Sequence, residues 1–85
     1  MVDRNINGTQ VFDISNELWR RYEYANGDVL EVTDAVGLMV QKNPTGDRHR
    51  LIIKRDGEQE EGMYVKPGWL AIRWTGKDGT HGITF

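Results

Sequence analysis

The only dense basic cluster in the sequence is Arg-His-Arg-Leu-Ile-Ile-Lys-Arg at residues 48–55. As a strand, its two-residue alternation sets Arg48, Arg50, Ile52 and Lys54 on one face and His49, Leu51, Ile53 and Arg55 on the other. Guanidinium groups on an open face bind phosphate or carboxylate. The acidic run at residues 56–61 follows directly, and it offers a simpler outcome in which a solvated basic face is cross-paired by its own chain. Glu58, Glu60 and Glu61 also read as a negative prong for a basic protein partner. Arg20, Arg21 and Arg73 extend the basic patch if their strands are its neighbours.

Aromatic residues interleave with this charge in Trp19-Arg20-Arg21-Tyr22 and in Arg73-Trp74. Bases of single-stranded nucleic acid stack on such pairs. Alternation along residues 69–74 assigns Leu70, Ile72 and Trp74 to the core and turns Trp69, Ala71 and Arg73 outward. Trp69 and Trp19 are therefore the candidate stacking platforms, set against the plainer role of filling the core of a small domain.

Other chemistries find little support. His49 and His81 are too far apart to make a metal-binding motif, so no metal is expected. The single serine, Ser15, has no nucleophile motif around it and reads as a cap. The carboxylates at 58–61 sit in a solvated loop, where they do no acid–base work at neutral pH. No glycine pattern matches a phosphate cradle. The expectation is a non-enzymatic protein without a cofactor.

Turn signals define the elements that must position these residues. A turn former precedes glycine six times: Asn7-Gly8, Asn26-Gly27, Thr45-Gly46, Asp56-Gly57, Pro67-Gly68 and Asp78-Gly79. These dipeptides favour the positive φ of tight turns, and the segments between them carry short apolar runs. The pattern predicts an all-β chain, a small antiparallel barrel-like meander of five to seven short strands, with 1–9 a flexible or edge segment and 10–85 a single domain. Residues 15–25 read two ways. As a helix they would pair Glu17 with Arg21 and end at Gly27. The aromatic content favours instead one short helical turn near residues 14–18, then a strand into Asn26-Gly27. A two-residue loop there would place Tyr24 opposite Val29 and Tyr22 opposite Glu31. Gly37 reads as a bulge within a strand. The last four turn glycines are spaced by eleven, but the apolar residues fall at different offsets after Gly46 and Gly68, so the spacing measures strand length and not a repeat.

With 85 residues and 38% apolar content, the core is small and leans on eight aromatic side chains. Cysteine is absent, which excludes disulfides and fits a cytoplasmic protein. No apolar leader and no span-length apolar run occurs, so no membrane partner is expected. The formal net charge of −2 argues against nucleic-acid binding by the domain as a whole.

The run Trp19-Arg20-Arg21-Tyr22, a glycine turn, His49-Arg50, Asp56-Gly57, Gly68-Trp69 and Arg73-Trp74 resembles short uncharacterised proteins carried by tailed phages and prophages. The likeness spans residues 17–74 and is one of aromatics and turns. It implies a phage or prophage origin and a role as a structural accessory or a modulator of a host process. It transfers no functional residues. The expected function is a small module acting through protein–protein interaction with a host or phage protein. The alternatives are a nucleic-acid or nucleotide-binding small barrel using the basic strand and an exposed tryptophan, and a homo-oligomeric structural component.

Overall fold

A computed structural model describes residues 4–6 and 8–84, with side chains from residue 8 onward. Phe85, placed in the last strand by the sequence, and Asn7 of the first turn lie outside the described residues. The described chain forms β1 (Arg4–Ile6), β2 (Thr9–Asp13), β3 (Glu17–Tyr24), β4 (Val29–Val32), β5 (Ala35–Gln41), β6 (Arg48–Ile53), β7 (Glu61–Tyr64), β8 (Trp69–Gly76) and β9 (His81–Thr84). All pairing is antiparallel. One sheet runs β1-β2-β5-β6-β7 and the other β4-β3-β8-β9. The expected all-β meander is present as a barrel-like sandwich whose two sheets stay open at their edges, with nine described strands in place of five to seven. Arg4–Ile6, in the segment expected to be flexible or edge-forming, is the edge strand β1 beside β2.

All six glycines that follow a turn former have positive φ, from +78° to +128°. The turn at Asn26-Gly27 is one residue longer than expected. The Tyr24 N–H donates to the Asp28 carbonyl at 3.0 Å, and the Gly27 N–H donates back to the Tyr24 carbonyl at 3.1 Å. Three residues therefore form the loop, with Gly27 in the left-handed position that closes it. The register shifts by one: Glu23 faces Val29, Tyr22 faces Leu30 and Arg21 faces Glu31. That shift lines Arg21 up with a carboxylate.

No helix forms among the described residues. The helical turn expected near 14–18 is replaced by a reverse turn, in which the Glu17 N–H donates to the Ile14 carbonyl at 2.9 Å. The Asp13 carboxylate accepts from the Ser15 N–H at 2.9 Å and from its hydroxyl at 2.6 Å. This short-range bonding stabilises a turn in competition with a helix.

Three irregularities interrupt the ladders. The one in β5 falls at Val36, next to the Gly37 expected to be the bulge; Gly37 itself pairs with Ile52 of β6, which its bare Cα faces. The other two fall between β3 and β8, at Leu18 and at Leu70. Both leucines are more than half exposed. A bulge residue drops out of the alternation and flips its neighbours to the other face. Leu18 thus brings Glu17 onto the side of Arg20, and Leu70 brings Trp69 onto the side of Ile72. The core lies between the sheets around Tyr22, Leu51 and Val65, with Leu38, Val40, Ile53 and Ile72 packed about them.

Candidate functional site

The alternation expected for the basic strand holds over Arg48–Ile53, where β6 ends; Lys54 and Arg55, expected to continue it on opposite faces, lie beyond the strand and are both exposed. His49, Leu51 and Ile53 of β6 are buried between the sheets, whereas Arg48 and Arg50 stand exposed on the outer face. Strand register builds a row across that face. Val11 of β2 faces Met39 of β5, Met39 faces Arg50 of β6, and Arg50 faces Tyr64 of β7. A second, shorter row runs from Thr9 through Gln41 to Arg48. Between the rows lies a shallow groove of about 300 Å³. Tyr64 is 56% exposed, so the row ends in an open aromatic ring beside a cation.

Among the described residues, no carboxylate pairs with Arg48 or Arg50. The other arginines whose side chains are described are all ion-paired: Arg20 with Glu17 at 2.9 Å, Arg21 with Glu31 at 2.7 Å, Arg55 with Asp34 at 2.7 Å and Arg73 with Glu23 at 3.1 Å. The acidic run does not neutralise the basic strand as a whole. Glu58 and Glu61 approach Arg55 at 3.9 and 3.8 Å, and Lys54, beyond the end of β6, donates to the Glu58 carbonyl at 2.6 Å. Gly62 of β7 leaves room for Arg50, whose Nε lies 2.9 Å from where a Cβ at position 62 would sit.

The remaining candidates separate from this surface. Arg21 and Arg73 do face each other across β3 and β8, but on the four-stranded sheet, where glutamates neutralise both. They do not join Arg48 and Arg50 as expected. Trp19 is half-buried beneath the Arg21 guanidinium, 5.3 Å from its ring. Trp69 is not an exposed platform. The bulge at Leu70 turns it inward, with its ring 5.1 Å from Tyr22 and 4.5 Å from His49. The same bulge expels Leu70, which the alternation had placed in the core. Glu58, Glu60 and Glu61 are exposed in the loop before β7 and at its start, as expected. No metal-binding group of His, Asp and Glu occurs among the described residues.

No family model, curated protein or solved structure matches the chain. Its chemistry must be read from its own side chains.

The polar network inside the sandwich is one the sequence did not reveal. Glu17 receives the Arg20 guanidinium through two bonds, Nε at 2.9 Å and Nη2 at 3.0 Å. Arg20 Nη1 reaches the Tyr22 hydroxyl at 3.4 Å, and that hydroxyl lies 2.7 Å from His49 Nδ1. Arg20 and His49 are both more than nine-tenths buried. Arginine is a donor only, so the Tyr22 proton has one acceptor in reach, His49 Nδ1. The imidazole is thereby held as the Nε2–H tautomer. Burial pushes the His49 pKa down to about 4, with the Arg20 charge adding to the effect and Asp47 opposing it. Burial also pushes Tyr22 up to about 12, against the pull of Arg20. Burial is the largest influence on the Arg20 charge and works against it, but the hydrogen bonds and charge interactions with Glu17 and Tyr22 together outweigh it. At neutral pH the imidazole and phenol are both uncharged, and the network fixes orientation more than it moves protons.

Proposed function

We propose that the chain is a non-enzymatic binding module that holds an acidic segment of a partner protein on the outer face of its five-stranded sheet. The observation that carries this reading is the contrast among the arginines. Among the arginines whose side chains are described, Arg48 and Arg50 alone have no described carboxylate as partner, and they stand exposed on a face that also presents Met39 and Tyr64. A mixed face of this kind suits a peptide with carboxylates and an apolar or aromatic anchor, because arginine and tyrosine carry much of the energy at protein interfaces. A phage or prophage origin, the expectation drawn from the aromatics and turns of residues 17–74, would make a host or phage protein the class of partner. Overall net charge of −2 and Glu58, Glu60 and Glu61 near β7 weigh against a long polyanion such as nucleic acid, whereas a short acidic segment need meet only the local charge of Arg48 and Arg50.

Calorimetric titration with a glutamate-rich peptide tests this. Arg48→Glu with Arg50→Glu should weaken binding by roughly tenfold or more, as loss and reversal of two exposed charge contacts are worth about 1–2 kcal/mol. An oligothymidylate of equal charge is the comparison. If it binds and the peptide does not, Arg50 and Tyr64 form a nucleic-acid platform and the protein-partner reading is wrong.

A further inference from the structure

A second site opens on the other side of β6. Between the two sheets lies a cleft of about 440 Å³, within the range of small-molecule sites. Its walls are Phe12, Leu38 and Val40 from one sheet and Ile72 and Trp74 from the other. Arg20 and His49 also line it, each more than nine-tenths buried.

Both polar residues have donors to spare. Arg20 uses three of its five N–H groups, two on Glu17 and one on Tyr22. His49 carries its proton on Nε2, as the Tyr22 bond requires, and no described residue accepts it. Among the described residues no sealed side-chain nitrogen or oxygen lacks a partner. The unpartnered Nε2 therefore reaches an opening, and His49 lines this cleft as well as the groove on the outer face.

Charge then narrows the ligand. The lining holds the carboxylates of Asp13, Glu17 and Asp47 and the cations of Arg20 and Lys42. Glu17 pairs with Arg20, and Asp47 with Lys42 at 3.0 Å. Asp13 accepts from Ser15. The cleft has no surplus positive charge to offer an anion. It offers N–H donors and a flat apolar wall, and burial keeps His49 neutral, with its pKa near 4.

We propose that this cleft binds a small neutral aromatic molecule bearing a carbonyl or hydroxyl oxygen, its ring against Trp74 and the aliphatic wall and its oxygen accepting from His49 Nε2–H and Arg20. Three probes of similar size test this: acetophenone, its hydrocarbon analogue isopropylbenzene, and benzoate. Protein-observed NMR on the intact chain should show saturable shifts with acetophenone at Phe12, Val40, Trp74 and the His49 imidazole. Fragments of this size bind roughly in the millimolar range. Acetophenone should bind about fivefold more tightly than isopropylbenzene, the worth of one hydrogen bond, and more tightly than benzoate. His49→Gln, which can keep the Tyr22 contact, and Val40→Trp, which fills the cleft, should each remove the acetophenone shifts in a folded protein. Shifts scattered over the outer faces, equal affinity for isopropylbenzene, tighter binding of benzoate, or no saturation in the folded wild type would each overturn the proposal. The wild-type comparison stands alone if a variant fails to fold.

Discussion

Acidification below neutrality should destabilise this domain through one residue, His49. In the unfolded chain a histidine protonates near its ordinary pKa of 6.5, whereas in the fold it stays neutral down to about 4. The folded pKa is the depressed one, so the stability it contributes is complete above pH 6.5. It is lost as pH falls from 6.5 toward 4, and the loss stops once the folded imidazole also takes a proton. Each pH unit between those limits is worth about 1.4 kcal/mol, on the order of 3 kcal/mol in all. A domain of this size has roughly 4–13 kcal/mol of stability, so the loss is a substantial part of the whole. Protonation also forces a second change. The imidazolium can no longer accept from Tyr22, and it sits near the Arg20 charge at the mouth of the cleft. Asp47 opposes the effect, and Lys42 adds to it slightly. Asp13 and Asp78 are held below the ordinary value of 3.8 by hydrogen bonds from Ser15 and Thr80, so their contribution is lost only at lower pH. Urea unfolding followed by tryptophan fluorescence at intervals from pH 7.5 to 5 isolates the histidine. The wild type should lose stability steeply below pH 6.5, and His49→Gln should remove most of that slope. A slope that survives in His49→Gln, or a folded His49 imidazole that titrates between pH 6 and 7 by NMR, would refute the reasoning.

Further predictions follow from the packing. Glu17→Gln strips the partner from a buried guanidinium and should cost about 3–5 kcal/mol, whereas Glu31→Gln at the exposed Arg21 pair should cost less than about 1 kcal/mol; chemical denaturation separates the two. Gly82→Ala would drive a Cβ into the Trp74 ring that lies on it, with a cost of about 1–3 kcal/mol and a melting temperature lower by several degrees or more. Trp69→Ala should be far more destabilising than Trp19→Ala, because Trp69 packs on Tyr22 and His49 while Trp19 lies under Arg21 on the outer surface. Gly62→Ala should leave the fold close to wild type yet weaken acidic-peptide binding severalfold, since it displaces Arg50 and not the sheet.

Much of this architecture was legible in the residues. The turn glycines marked the places where the backbone takes positive φ. The run at 48–53 showed which of its side chains face out, because no irregularity breaks β6 between Arg48 and Leu51. What could not be read depended on bulges. Nothing in Glu17-Leu18-Trp19 or Trp69-Leu70-Ala71 announces an extra residue, and each bulge reverses the facing of what lies beyond it. Leu70 therefore reads as core and Trp69 as surface until the pairing with β3 is seen. The Glu17–Arg20 pair is hidden for the same reason, as strict alternation puts residues three apart on opposite faces. The link from Tyr22 to His49 spans two sheets, and local sequence does not specify such a contact. The basic patch was legible in part. Arg48 and Arg50 are where alternation put them, but their lack of a carboxylate partner among the described residues depends on how residues 56–61 fold back onto Arg55.

The claim that the outer face of β5, β6 and β7 is the binding surface can be tested most directly by backbone and side-chain NMR during titration with a glutamate-rich peptide at low salt. The account predicts saturable shifts confined to Met39, Gln41, Arg48, Arg50 and Tyr64 that fade as salt is raised and vanish in Arg48→Glu with Arg50→Glu. Shifts centred on Arg21 and Arg73 of the opposite sheet, or no saturable shifts in the folded protein at low salt, would contradict it.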